Sequence, residues 1–521
     1  MKAIKKFRVK VVLTLCMSML LLVSCSLEEE TYSIYTPETF YSNDFQVLSS
    51  LSGIYRNFAG ITGMGVEYRT LELSADQVVV QAKIQGWWGG DNYWQLMEHN
   101  WNSDHAYISG TWDTFFRTVG QTNGLLNSLE GSELDVTGPI GELRALRAYA
   151  YFFLMDLFGN VPIFTEPKVD PLNLPTQNTR AEVFEFVTSE LKAAADALPS
   201  KSQAGSEYYG RITKEAAWSL LATIYLNAEV YTGTAMNAEA SEYADKVINS
   251  GNYSLLANFF DNFVPNNENN AEFIFGAVYT PEIAGGIGHP LVQKVLPGIS
   301  GGLFGLPYTP QNGFATRPSI YNAYEDEDVR KEVFIGYGPL KDPRNGETVM
   351  VERVVPDNNS KLYVPGVSTE GPVPYNIIPA TGIRSQPMNA GLKWIKWQID
   401  PNTQGGNAGN DIAFIRYADI LLIKAEAMAR QGDFSGAIGY VNMVRERSNA
   451  EPFTSLTLLD ILAERNRELA FEMTRRRDLI RFGKFTDAWE WKPASESFRT
   501  MYPIPQSALN SNPNLQQNPG Y

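Results

Sequence analysis

Residues 211–231 read RITKEAAWSLLATIYLNAEVY, and the order of large and small apolar side chains within them decides the fold. Trp218, Leu221, Ala222 and Tyr225 stand at i, i+3, i+4 and i+7, the spacing that puts side chains on one face of a helix. A second helix over about Ala238 to Ser250 completes a pair. The arrangement returns later: Phe414, Tyr417, Ala418, Leu421, Leu422 and Ala425 share a face, Gly432-Asp433 marks a turn, and Ala437, Val441 and Val444 line the returning helix. Small residues at the crossings let paired helices approach closely. Such a pair buries its apolar face only against a neighbour, so two of them imply a stacked, mainly α scaffold.

The first pair also matches the W-x2-L-G-x2-Y opening of a tetratricopeptide repeat, with Ala222 in place of glycine. Upstream, helical periodicity covers roughly 40–59, 108–129, 141–158 and 180–198, with Asn178-Thr179 as a helix start and Pro199 as a stop. Residues 251–410 differ: they are rich in Gly, Pro and Asn, with short strand-like runs at Phe273 to Tyr279 and Val349 to Val355. That length exceeds a single loop. The reading is a tetratricopeptide-like helical-pair scaffold over about 37–254 and 411–521, with an inserted loop-rich, partly β region over about 255–410.

At 521 residues, 44% hydrophobic, 12% aromatic and 19% charged, the chain has ample core material and too little charge for global disorder. Its formal charge is −15, and without the first 24 residues, which hold Lys2, Lys5, Lys6, Arg8, Lys10 and no acid, it is −20. Such a body repels phosphate backbones, and no Lys/Arg stripe offsets this, so no nucleic-acid partner is expected. Val11 to Val23 is apolar but only 13 residues long, short of the roughly 20 that span a bilayer. It reads as the core of a secretory signal. Leu22-Val23-Ser24-Cys25 resembles the lipobox of bacterial lipoproteins, with Cys25 as the acylated anchor, and Ser26-Leu27-Glu28-Glu29-Glu30 resembles a surface-export signal. Residues 1–24 are thus read as signal peptide, 25–36 as lipidated tether and 37–521 as body. Cys16 lies inside the signal, which leaves the body without a disulfide, thiol nucleophile or cysteine metal site.

Longer motifs then become recognisable. LRALRAY (143–149) with FGNVPI (158–163), RYADILLIKAEA (416–427) with VNMVR (441–445), Glu464-Arg465 with ELAFE (468–472), Arg475, Asp478-Leu479 and Arg481-Phe482-Gly483, and PIP (503–505) with QNPGY (517–521) resemble the signatures of SusD/RagB lipoproteins. Met473 stands where that family often has glycine and Arg476 where it often has an aromatic, departures read as matters of packing. Residues 255–410 match little beyond Arg317-Pro318 and Asp328-Val329-Arg330. The charges at Glu472, Arg475, Arg476, Asp478 and Arg481 read as pairs on adjacent turns of one helix, each stabilising it by a few tenths of a kcal/mol. The resemblance implies binding rather than chemistry: a lid at the outer-membrane surface, held by lipid alone over a SusC-like TonB-dependent transporter, that captures oligosaccharide or polysaccharide and hands it on. No cofactor is implied. A RagB-like, peptide-binding lid is the alternative, and a surface glycoside hydrolase a further one.

Five of the ten tryptophans fall between residues 87 and 112. Sugars present flat C–H faces to aromatic rings and hydroxyls to carboxylates and amides, so a glycan site needs both kinds of group. Residues 85–94, QGWWGGDNYW, supply both. Adjacent tryptophans between glycines cannot share one core face, so Trp87 and Trp88 read as ligand contacts, either able to be the main stacking ring. Asp91 and Trp94 lie in the same stretch, and the Leu71 to Asp76 segment resembles a subgroup pattern in which Asp76 is the acid. Tyr308, Arg317, Tyr321 and Tyr324 are weaker candidates for an opposite rim. Trp101 and Trp112 read as core, because Trp112, Phe115, Phe116 and Val119 have helical spacing.

Enzyme signatures fare poorly. Gly298-Ile299-Ser300-Gly301-Gly302 fits G-x-S-x-G, yet Pro297 and the glycines deny it a strand and a helix, and His99, His105 and His289 all precede Ser300. No P-loop is present. His99 and His105 lack a third ligand of recognisable spacing, so no metal site is expected.

Overall fold

The computed structural model describes residues 41–83, 90–281, 288–298, 301, 306–342, 345–352, 372–400, 402–403 and 405–521. The expected signal segment, Cys25 and the expected tether lie outside them. The body opens with α1 (Asp44–Thr62), started by the Asn43 side chain accepting the Gln46 N–H, and α2 (Val66–Glu72). After a short α3 (Gly90–Met97) come α4 (Ala106–Leu129), α5 (Thr137–Phe158) and α6 (Arg180–Ala197). A reciprocal capping box between Thr179 and Glu182 begins α6 at the Asn178-Thr179 start expected from the sequence. Then follow α7 (Lys214–Leu226), α8 (Ala228–Thr232) and α9 (Asn237–Asn249). Beyond α10 (Leu291–Val295) and α11 (Pro318–Tyr321), regular helix resumes at α12 (Tyr417–Arg430) and α13 (Phe434–Arg447). The chain closes with α14 (Leu458–Glu468), α15 (Arg475–Arg481) and α16 (Gln506–Ser511).

Packing follows a simple series. Helix α4 lies on α5, α5 on α6, α6 on α7, α7 on α9, α9 on α12 and α12 on α13. This is the stacked, tetratricopeptide-like scaffold that the spacing of Trp218 to Tyr225 predicts, with α9 and α13 as the returning helices. Helix α5 is its spine: between Gly141 and Phe158 only Arg144 escapes burial. Phe153 stacks on Phe115 of α4 at 4.7 Å, and Tyr149 stacks on Phe58 of α1 at 5.2 Å.

Strands are short and paired in twos among the described residues. They are β1 (Val78–Val80), β2 (Phe273–Ala277), β3 (Phe314–Thr316), β4 (Phe334–Ile335), β5 (Gly338–Pro339), β6 (Met350–Glu352), β7 (Pro372–Pro374), β8 (Asn376–Ile377), β9 (Lys393–Trp394) and β10 (Ile412–Arg416). The antiparallel pairs are β1 with β3, β2 with β10, β4 with β9, β5 with β8 and β6 with β7. The chain therefore departs from the helical stack at β2 and rejoins it at the neighbouring β10. Gly276 permits this closeness, since a Cβ there would stand 2.3 Å from the Ile412 carbonyl oxygen. Between those strands a small apolar cluster, including Leu296, Leu340, Tyr375 and Ile377, is separate from the main core.

The signature from Glu464 to Arg481 is not one helix. Phe471 and Met473 adopt φ of 68° and 60°, left-handed values that break α14 from α15. Its charges are buried and reach other elements. Arg330 lies 2.6 Å from Glu464 and 2.8 Å from Glu468; Arg416 lies 2.5 Å from Glu468 and 2.8 Å from Glu472; Lys396 lies 2.5 Å from Glu472. Arg447 pairs with Glu468 and Glu272. Asp478 and Arg481, 2.7 Å apart, do pair across one turn as the spacing suggests. Burial pushes the Glu464 carboxyl up, but Arg330, Arg467 and Arg445 outweigh it and hold it at about 2.

Candidate functional site

The tryptophan-rich stretch is launched from β1 and received by α3. After Val80 the chain runs beside the 381–391 segment: the Ala82 N–H donates to the Ile383 carbonyl and the Gln386 N–H to the Ala82 carbonyl, both at 2.9 Å. The buried Lys83 ammonium donates to Ala390 O at 2.5 Å and Gln81 Oε1 at 2.9 Å, and burial lowers its pKa to about 7. Residues 84–89, and so Trp87 and Trp88, lie outside the described residues. Gly90, at φ +70°, begins α3 in a conformation that a side chain would strain.

Helix α3 is held firmly. His105 caps α4 by accepting the Ile108 N–H at Nδ1, so its Nε2–H donates to Asn92 O at 2.9 Å, and burial keeps the ring neutral by lowering its pKa. Tyr93 meets Tyr107 and Phe314 edge-on, with centroids 5.3 and 6.1 Å away. Trp94 is only 8% exposed, and the Arg384 guanidinium lies 4.0 Å over its ring while donating to Glu98 at 2.9 Å. What this helix and its neighbour offer to solvent is Asp91, on the first turn, and the half-exposed Arg384. The expected open ring at Trp94 is thus a covered one.

Other candidates belong to the frame. Asp76 forms a two-point pair with Arg475, at 2.8 and 2.7 Å. Burial alone would raise its carboxyl, and Arg475 more than reverses this. Arg317 is no rim residue: it has no exposure, donates to the Glu490 carbonyl at 2.9 Å and the Ala75 carbonyl at 3.2 Å, and is drawn down to about 10 by burial. Tyr324 is buried too, its hydroxyl donating to Arg467 O at 2.9 Å. Tyr308 and Tyr321 are half-buried, and Tyr321 meets the partly exposed Tyr337 edge-on at 6.3 Å. Arg384 and Tyr337 had no signal in the sequence, because they lie in the aperiodic region and reach their partners only through folding.

Trp101 and Trp112 are core, as their spacing suggests. His99 is packed against Phe485 at 4.4 Å, with Nε2 at 2.8 Å from Ser74 O. Among the described residues no three His, Cys, Asp or Glu side chains are grouped to hold a metal ion. Ser300, in the G-x-S-x-G match, lies outside the described residues. No described helix is long and apolar enough to cross a membrane.

Comparison with known proteins accounts for nearly the whole chain. The model of the SusD family matches residues 224–521, and a model described as starch-binding, associating with outer membrane, matches residues 29–226. The starch-binding protein SusD of Bacteroides thetaiotaomicron is 27% identical over 488 residues, covering 87% of this chain and 86% of its own. SusD-like protein P25 of Formosa agariphila is 26% identical and covers 94% of each chain. Among solved structures, a SusD-like carbohydrate-binding protein from Bacteroides fragilis superposes with a TM-score of 0.74 at 21% identity, covering 92% of this chain and all of that one. A laminarin-binding SusD-like protein gives 0.72 at 22% identity with the same coverage. These last two likenesses bear on the fold alone.

Proposed function

The chain belongs to the SusD family, and on that premise we propose that it is a cell-surface lipoprotein, anchored at Cys25, that captures oligosaccharide or polysaccharide and hands it to a SusC-like TonB-dependent transporter. The likeness to the starch-binding SusD over 87% of the chain carries this reading. The local chemistry supports it. In the sequence Trp87 and Trp88 fall between β1 and α3, and the described residues around them offer an exposed carboxylate at Asp91 and an exposed guanidinium at Arg384. Indoles would stack on sugar faces while the charged pair fixes hydroxyls, and Trp94 would support the platform from beneath. Asp76, locked to Arg475, serves the frame in this reading and not the sugar contact. Binding and release suffice for this role, and no bond-breaking step is assigned to it.

Native gels containing a polysaccharide test the site. The wild-type protein is expected to be retarded by its cognate glycan, and Trp87→Ala with Trp88→Ala to abolish the retardation with no change of thermal midpoint. Unchanged migration of the double variant would remove the site. Heat of binding with peptides, and none with any glycan, would transfer the function to the peptide-binding reading.

A further inference from the structure

A second cleft opens on the helical body, sharing no residue with the platform above. It is about 190 Å³, room for roughly one sugar ring, and lies between the α6–α7 connection and the 269–274 segment that leads into β2. Four aromatic side chains line it, Tyr208, Tyr209, Tyr253 and Phe273. Tyr208 is half-buried, with the Arg211 guanidinium 4.0 Å from its ring centre. Tyr209 is fixed by its hydroxyl donating to Asp411 at 2.5 Å and by a tilted contact with Phe273 at 6.0 Å. Tyr253 is buried beneath the Lys201 ammonium, 4.2 Å from its ring centre.

The charges in this cleft are unequal. Arg211 is consumed by Glu142, a buried carboxylate it grips through two nitrogens. Lys201 has no such counterpart: among the described residues its ammonium forms no ion pair. The nearby Glu215 carboxylate is already used, one oxygen by the Lys201 backbone N–H at 3.0 Å and the other by Asn252 at 2.8 Å. Burial holds the ammonium below the ordinary lysine range. A partly desolvated cation over an aromatic ring, with no ion-pair partner among the described residues, is a position that an incoming anion would stabilise. At the lip, Asn269 is exposed and held at φ 57°, so an amide also stands at the entrance.

We propose that this cleft is a second carbohydrate site, for a single acidic sugar residue whose carboxylate or sulfate meets Lys201 while its ring lies against Tyr208 and Tyr209. It would give the protein a foothold on charged glycans independent of the tryptophan loop, so its test does not depend on that reading.

The experiment is ligand-observed NMR with calorimetry on the intact body. The probes are methyl glucuronide, methyl galacturonide and glucose 6-sulfate, with methyl glucoside as the neutral comparison. At least one acidic probe is expected to bind saturably and at least tenfold more tightly than the glucoside, and the three acidic probes together tell carboxylate from sulfate. Lys201→Gln should weaken that probe tenfold or more, Tyr208→Ala should do likewise, and the Trp87→Ala, Trp88→Ala double variant should leave it unchanged. Thermal melts of each variant verify folding, and Lys201→Met serves if the glutamine variant melts early. Absence of saturable binding by every acidic probe, or equal affinity for the glucoside, or indifference to loss of the Lys201 charge, would overturn the proposal.

Discussion

Glu72 shows how much one side chain can reveal about its surroundings. It ends α2 in the buried interior, accepts the Met473 N–H at 2.5 Å, and forms no ion pair among the described residues. Burial first, with Asp76 and Glu472 adding like charge, raises its carboxyl to about 8. A carboxyl whose folded pKa is raised contributes stability that is full below about 4.5 and fades as pH climbs through 8. Glu72→Gln keeps the acceptor for Met473 and removes the titration. The variant should therefore melt close to wild type at pH 4 and be about 2–4 kcal/mol more stable than it at pH 9. Melts at both pH values check this, and an equal gap at the two would refute it. Nothing in the sequence announces such a residue, since Glu72 sits in Leu71-Glu72-Leu73-Ser74 as any surface acid would.

At the level of elements, periodicity told most where helices are long and bury one face. The runs near 40–59, 108–129, 141–158 and 180–198 became α1, α4, α5 and α6, and the pairs after Arg211 and Phe414 became α7 with α9 and α12 with α13. It misled where the deciding facts are three-dimensional. The Glu464 to Arg481 signature has helical spacing, yet positive φ at Phe471 and Met473 splits it. Met473 occupies the conformation that glycine adopts without strain, which is a backbone reason for the glycine found there in the family pattern. The candidate site was legible only as composition. Aromatic rings beside Asp and glycine mark residues 85–94, but that Trp94 lies under Arg384, and Arg317 inside the frame, follows from contacts between distant segments. Asp76 belongs to this scale, because it ties the end of the α2 segment to α15. Asp76→Asn would leave Arg475 without its charge partner and should cost about 2–4 kcal/mol. Retardation in polysaccharide gels run well below the melt should stay at the wild-type level; its loss there would make Asp76 a ligand contact instead.

Across the whole molecule, charge is distributed in two regimes. The surface is acidic, while the interior holds a continuous chain of paired arginines and glutamates. Glu468 is its centre, touching Arg330, Arg416 and Arg447, which come from three separate stretches of the chain. Breaking a buried network by removing its shared carboxylate leaves several cations uncompensated. Glu468→Ala should therefore destabilise the protein by about 3–5 kcal/mol, measured as a lowered denaturant midpoint. A change below about 1 kcal/mol would show the surrounding charges to be compensated elsewhere.

Arg330 and Lys396, both from the region between β2 and β10, reach into that same network. Their bonds rivet the aperiodic half to the helical half in the interior of the protein, so that bending the two apart there would break buried ion pairs. Should the molecule open and shut above a membrane pore, it would swing as one stiff plate pivoting at its attachment, rather than as two leaves folding about a crease.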